Sequence, residues 1–466
     1  MGKNKDNKGN IFITVVVNVV RVLLGLVFVF SGFVKAIDPI GTQYKIQDYA
    51  EALGTLAYVP DWLTLTTSVV LCGLEFALGV FLLFGIMRKL VSRVMMLFMI
   101  VMTLITVWLY IGNPVSDCGC FGDAVHLTNG QTLLKNIILT VLVAVVCWRP
   151  MSMKKILSES SQWLVFHYSI IFILGISFWS LYNIPVFDFR PYHIGANISK
   201  GMEIPEGEKG PEFETTFILE KDGVRKEFTL DNYPDSTWTF IDSKSVQTTE
   251  GYVPPIHDFS ITEIESGEDI TDQVLSDHGY TFLLIAPHLE QADDSNFGNI
   301  DMLYEYAADH GYKFYCLTAS GEKAIAKWKD YTGAEYPFCL TDETTLKTII
   351  RSNPGLLLLK NGTIVGKWSH NFLPVDRLND KPIEKTDIAK PEEGVSQKLM
   401  LIFLWYVLPL ALLTLADRLW MWSRWFKKKE YSNSIFNLIK NKTNEKENRS
   451  RQLEDEQEPA GGRSSR

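Results

Sequence analysis

IFITVVVNVVRVLLGLVFVFSGFVKAI, residues 11–37, is apolar along nearly its whole length. It exceeds the ~20 residues that cross a hydrocarbon core of ~30 Å. Arg21 lies inside it and no small-residue cleavage site follows, so it reads as a retained span and not a removable signal peptide. Four more apolar runs follow at 63–87, 94–112, 132–148 and 163–184, and a sixth at 398–419. The 47% hydrophobic content of the 466 residues is therefore unevenly spread: 11–184 is mostly apolar, 190–396 has the composition of a soluble region, and the end is polar. That division excludes a wholly soluble protein, and six spans put both termini on one side.

Charge gives the orientation. Lys3, Lys5 and Lys8 precede the first run, Arg88, Lys89 and Arg93 join the second to the third, Arg149, Lys154 and Lys155 join the fourth to the fifth, and Arg424 with Lys427–Lys429 follows the sixth. All four groups fall on one side, which the positive-inside rule makes cytoplasmic. The expected location is the cell inner membrane, with 38–62, 113–131 and the large 185–397 region on the periplasmic side. With net charge −9 and no basic face, nucleic acid is excluded as a partner. Arg21 and Glu75 both fall near mid-membrane by residue count, and buried charges in lipid pair or line a functional cavity. An intramembrane Arg21–Glu75 pair is expected, either as a clamp between adjacent helices or as part of a proton or quinone site.

The outward loop NPVSDCGCFGDAVH, residues 113–126, carries the chemistry. Cys118 and Cys120 flank one glycine, and outside the cytoplasm two such thiols can close into a strained, reducible ring. Gly119 and Gly122 supply backbone freedom, with Asp117, Phe121 and Asp123 completing the supporting loop. Either cysteine, as thiolate, could be the nucleophile. The alternatives are a packed re-entrant cap, or a metal site of Asp117, Cys118, Cys120, Asp123 and His126. The latter lacks the ligand spacing of a closed zinc site, so neither metal nor cofactor is expected. Cys72 and Cys147 read as packing groups within spans.

The stretches RVLLGLVFVFSGFVK at 21–35, LEFALGVFLLFG at 74–85 and DCGCFGD at 117–123 resemble the DoxX superfamily, and within it the MauE-like redox-associated branch, over about 11–150. The resemblance implies a four-helix membrane bundle. It also implies the redox role that MauE is thought to play in methylamine utilisation, helping to mature a disulfide-rich periplasmic dehydrogenase subunit. Cys118 and Cys120 match the motif behind that role.

Within 193–270, FETTFILE at 213–220 and VRKEFTL at 224–230 flank Asp222-Gly223 as a β-hairpin. Beyond it the spacing predicts strands at 280–286 and 312–318, helices at 296–310, 321–332 and 342–352, and a final strand pair at 354–360 and 363–368 turned at Asn361-Gly362. Over 278–372 this order resembles a TlpA-like thioredoxin fold, which implies a cis-proline at Pro354. PHLEQA at 287–292 stands where that family has Cys-x-x-Cys. Cys316 and Cys339 read as buried, with a mutual disulfide or an auxiliary redox role as the alternative, and His288 as a loop residue. Residues 379–396 have the composition of a linker and 430–466 that of a disordered cytoplasmic tail.

The fold expected is thus a multi-pass α-helical membrane protein, a four-helix bundle plus two further spans (163–184 and 398–419), carrying an extracytoplasmic α/β thioredoxin-like domain. The function expected is thiol–disulfide exchange or redox maturation of a secreted client through Cys118 and Cys120, the α/β domain selecting or holding the client. The protein would then act as a thiol–disulfide oxidoreductase accessory. The alternative is a non-catalytic membrane scaffold or envelope assembly factor. A transport or quinone-linked subunit using Arg21 and Glu75 is a third possibility. The lipid bilayer and an extracytoplasmic protein or thiol–disulfide partner are the partners expected.

Overall fold

The computed structural model describes residues 2–115, 117–210, 212–221, 224–229, 239–249, 251–378, 381–389 and 394–455. Six helices among them are long and apolar enough to cross a membrane. They lie within α1 (Gly2–Ile37), α3 (Asp61–Phe84), α4 (Arg88–Gly112), α5 (Asn129–Trp148), α6 (Gln162–Tyr182) and a final rod. The rod comprises α13 (Val395–Ile402), a π-helical turn at Phe403–Val407 and α14 (Leu408–Asp455). A short α2 (Pro39–Ala52) follows α1.

Glycines set the register of α1 against α3. A side chain on Gly32 would collide with the Phe76 backbone, and one on Gly79 would come within 2.6 Å of the Val29 nitrogen. Gly25 lies against Leu83 in the same way. Small residues at a helix crossing let backbones approach without trapping voids. Contact positions rise along α1 as they fall along α3, so the two helices are antiparallel. At the end of α3, Gly85 adopts φ +69 and donates its N–H to the Leu82 and Phe81 carbonyls, stopping the helix.

The last rod is anchored on α6 at two levels. Tyr406, in the π-helical turn, stacks on Phe172 at 4.2 Å between ring centroids and meets Ser169 Oγ at 2.9 Å. Asp417 accepts from the Ser158 backbone N–H at 2.9 Å and Ser161 Oγ at 2.6 Å, just before α6 begins.

The outer part holds a three-stranded antiparallel sheet, β1 (Glu212–Lys221), β2 (Val224–Thr229) and β3 (Thr239–Thr249), in the order β2-β1-β3. A second sheet uses β4 (Thr262–Glu263), β5 (Tyr280–Ala286), β6 (Lys313–Thr318), β7 (Phe338–Leu340), β8 (Gly355–Lys360) and β9 (Thr363–Ser369) in the order β4-β7-β6-β5-β8-β9. β5, β6 and β7 run parallel, while β8 is antiparallel to β5 and β9 to β8. The helices of this part are α7 (Ile198–Met202), α8 (Thr271–Leu275), α9 (Phe297–Asp309), α10 (Glu322–Thr332), α11 (Glu343–Ile349) and α12 (Val375–Leu378). β5 is buried along its whole length between two apolar layers, as a central strand must be. Two parallel strands joined through a helix, then an antiparallel hairpin entered at the cis Asn353–Pro354 bond, is a thioredoxin-like arrangement.

Several expectations need correction. The 38–62 segment is not a plain loop, because Asp38 caps Gly41 N at 2.9 Å and Pro39 occupies the first turn of α2. Residues 379–396 are more than a linker, since Ile383 and Ile388 pack into the α/β core; 379–380 and 390–393 lie outside the described residues. Of the 430–466 tail, expected disordered, residues up to Asp455 continue α14, and 456–466 lie outside the described residues. Lys, Glu and Arg lose little side-chain freedom in a helix, which allows it to run on without a packed face. Cys316 and Cys339 are fully buried on opposite faces of the sheet, because the register pairs Cys316 with Phe338 and Leu317 with Cys339. Side chains one residue out of register point to opposite faces, so the two cannot form a disulfide.

Candidate functional site

The loop between α4 and α5 is tied at its base before it reaches the cysteines. Asn129 Nδ2 donates to Asn113 Oδ1 at 2.9 Å and to the Val115 carbonyl at 2.8 Å, and Asp117 bridges Thr128. Thr128 and Gln131 form a reciprocal capping box that starts α5. Inside this base, Gly119 and Gly122 have φ of 61 and 52, left-handed values that side chains disfavour. Asp117 Oδ1 accepts from Gly119 N at 2.9 Å and faces Lys45 Nζ of α2 at 3.2 Å.

That turn sets Cys118 Sγ 3.1 Å from Cys120 Sγ, about 1 Å beyond the ~2.05 Å of a covalent bond. The contact splits the two thiols. The contact with the Cys118 thiol lowers the Cys120 pKa against the opposing effect of burial, with the Lys135 and Lys35 cations adding to the lowering. The same contact, joined by burial, pushes Cys118 well up. The contact thus lowers the proton affinity of one sulfur and raises that of the other.

The loop backbone is gripped from both sides. Tyr49 of α2 donates its hydroxyl to the Cys118 carbonyl at 2.6 Å. Beneath, Ser31 Oγ lies 2.8 Å from the Cys120 carbonyl and 3.0 Å from Glu75 Oε2. Glu75 in turn pairs with Lys35 at 2.6 Å, both side chains being at most 5% exposed. Phe121 packs against Phe30, and Lys135 Nζ sits 4.3 Å above the Phe121 ring.

From the outer side, Arg351, just beyond α11, reaches over the α/β domain's edge. Its Nε lies 2.9 Å from Asp38 Oδ2, its Nη2 3.4 Å from Asp123 Oδ2, and its guanidinium 5.2 Å from the Tyr44 ring. Burial works against the Asp38 carboxylate, but Arg351 and Arg190 overcome it and hold its pKa below the ordinary 3.8. A second buried cluster lies behind: Lys367 Nζ meets Asp188 Oδ2 at 2.7 Å, and Arg190 Nε meets Asp188 Oδ1 at 2.8 Å.

Of the residues nominated from sequence, Asp117 through Asp123 come together in one loop, and Glu75 lies directly beneath it. The expected Arg21–Glu75 pair does not form. The glycine register sets Arg21 beside Gly85, where it donates to the Lys154 carbonyl at the far end of the bundle, and sets Glu75 opposite Ser31 and Lys35. The ten-residue gap between Arg21 and Ser31 is about 15 Å of helix, too far for a direct contact. Lys35, Ser31, Lys45, Tyr49 and Asp38 were missed. Ser31 and Lys35 are four residues apart on one helix face, and Asp38-Pro39 is a helix-start signal, so these could have been found. Arg351 has no local signature. His288, after β5, pairs with Glu343 at 3.0 Å.

Residues 13–149 match the family described as methylamine utilisation protein MauE, and 213–250 a domain of unknown function (DUF8463). Protein TlpB of Flavobacterium psychrophilum is 30% identical over 131 residues, 27% of this chain and 34% of that protein. The chain thus spans about a third of the length of this curated relative. The solution structure of a candidate protein disulfide isomerase from Bacteroides thetaiotaomicron aligns with 31% of this chain and 84% of its own, at 15% identity and a TM-score of 0.20.

Proposed function

We propose that the chain is a membrane-embedded thiol–disulfide exchanger whose working pair is Cys118 and Cys120. The site faces the extracytoplasmic side of the cell inner membrane, with both termini cytoplasmic. The observation that carries the reading is the 3.1 Å sulfur pair in which one thiol's proton affinity is lowered and the other's raised. Such a pair has a ready nucleophile and a partner sulfur that closes the ring. The match of 13–149 to MauE supports a redox role for this part of the chain, and the thioredoxin-like strand order supports a client-holding role for the α/β domain. In the exchange step a client dithiol becomes a disulfide as the Cys118–Cys120 bond breaks. Two electrons pass to the pair, and the two protons lost from the client are matched by two gained at its sulfurs.

The test is differential thiol labelling of Cys118 and Cys120 in intact cells, before and after reduction, with serine replacements scored for accumulation of oxidised client. Labelling that is identical in both states, or full client oxidation without either cysteine, overturns the reading. A second reading, a non-catalytic membrane scaffold, draws on Pro287 and His288 standing where an exchange motif would follow β5. It predicts partner capture that is indifferent to both loop cysteines.

A further inference from the structure

We infer that the buried Lys35–Glu75 pair is a proton relay for the cysteine loop, delivering and removing the Cys120 proton from the membrane side. This rests on the exchange reading above and adds the route of one of its protons.

An ion pair on the α1–α3 seam is costly, because well-packed apolar residues usually replace a buried pair without loss. Ionisable groups inside spans pair or serve ion and proton pathways. The location says which. Ser31, one turn before Lys35, touches both Glu75 Oε2 and the Cys120 carbonyl, so the pair sits directly under the reactive loop.

Small cavities flank it on both sides. One of about 30 Å³ has Ser31, Glu75, Cys120, Lys135 and Asn136 on its walls. The other, about 20 Å³, has Lys35, Asp38, Lys45, Asp123 and Arg190. Each exceeds the ~10–15 Å³ that a water needs and offers several polar partners. A proton can therefore pass from Cys120 through the first cavity to Glu75, across 2.6 Å to Lys35, and through the second cavity to the ionic junction beside α2.

The other titratable groups facing this path are otherwise engaged. Tyr49 bonds the Cys118 carbonyl, Lys45 faces Asp117, and Asp38 and Asp123 face Arg351. Lys135 rests over Phe121, and Cys72 of α3 is fully buried near Lys35. In the balance, a client thiolate attacks Cys118, a client–Cys118 bond forms as the Cys118–Cys120 bond breaks, Cys120 leaves as thiolate and the relay supplies its proton; a second client thiol then displaces Cys118 as the client disulfide closes.

The test uses full-length protein in lipid nanodiscs with the Cys118–Cys120 pair oxidised. Reduction by dithiothreitol is followed by quenched thiol labelling from pH 5 to 9, in water and in deuterium oxide. Glu75→Gln should slow the step on the order of 10²-fold and flatten its pH profile and solvent isotope effect, while Glu75→Asp should restore most of the rate. Since Glu75→Gln strands Lys35, the Lys35→Met/Glu75→Leu double variant removes both charges and keeps the seam packed; it should be equally slow. A folded double variant with the wild-type rate and pH profile overturns the relay and leaves the exchange reading intact. A wild-type pair that cannot be cycled overturns the exchange reading and takes the relay with it.

Discussion

Arg351→Met tests how firmly the α/β domain holds the cysteine loop. The side chain is 7% exposed and bonds Asp38, Asp123 and the Lys347 carbonyl. Removing one member of a buried pair costs about 3–5 kcal/mol, because the remaining charge is stranded. Asp38 keeps its hydrogen bond from Gly41 N and the influence of Arg190, which places the loss near the lower figure. About 3 kcal/mol is roughly a 150-fold change in a local opening equilibrium. Amide hydrogen exchange in nanodiscs should show that loss of protection across 117–123 and the first turns of α2, with the distant α6–α14 contact unaffected. Asp38→Asn added to Arg351→Met should recover part of it, since the stranded charge is gone. The pH sign is fixed. Asp38 has a depressed pKa, so its contribution is full above the ordinary 3.8 and is lost as pH falls through the lower folded value. In Arg351→Met the buried carboxylate takes up a proton more readily, and the penalty shrinks on acidification. A loss of protection under fivefold at pH 7, or a penalty that grows on acidification, would refute the clamp.

Alkylation of Cys120 by iodoacetamide should titrate with a midpoint below the ordinary 9.0, and Cys118→Ser should move that midpoint upward because the thiol contact is lost; a wild-type midpoint at or above 9.0 would contradict the assignment. Tyr49→Phe removes the hydrogen bond to the Cys118 carbonyl and should cost about 1 kcal/mol, read as faster amide exchange in the loop. Gly79→Val drives a side chain into the Val29 backbone and should destabilise the bundle by about 1–3 kcal/mol in detergent melts. In double-mutant cycles, Lys35→Met with Glu75→Leu should show strong coupling, whereas Arg21→Leu with Glu75→Leu should be additive within about 0.5 kcal/mol.

The spans were legible because length and apolarity suffice to define them, and all six appear where the runs predict. β5 and the hairpin turned at Asn361-Gly362 were likewise legible from local chemistry, and the cis bond before Pro354 was implied by the resemblance to a thioredoxin fold. β4 and β7, two and three residues long, were not, because so few residues carry no periodicity. The charge pairing failed for a related reason. Counting residues from span ends gives depth only to within a turn or two, whereas pairing is set by the register of Gly25, Gly32 and Gly79 against the facing helix. Glu75 does pair, but with Lys35 and not with Arg21. The partner was misjudged because Lys35, near the end of its run, reads as an interfacial lysine until the register buries it. Arg351 lies 313 residues from Asp38, and nothing local in sequence marks such a contact.

The contacts around the loop share a feature that bears on its chemistry. Tyr49 and Ser31 meet the carbonyls of Cys118 and Cys120, Asp117 accepts from the Gly119 nitrogen, and Arg351 holds Asp123 three residues further on. These clamps fall on backbone or on flanking side chains, while the two sulfurs face each other. Closing a bond requires the sulfurs to approach by about 1 Å, which rotation about two side-chain torsions can supply with the carbonyls still in place. A loop fixed through its backbone can therefore pass between dithiol and disulfide without releasing either the α2 contacts or the α/β domain. Interconversion of dithiol and disulfide then moves the sulfurs and their protons while the backbone clamps stay in place.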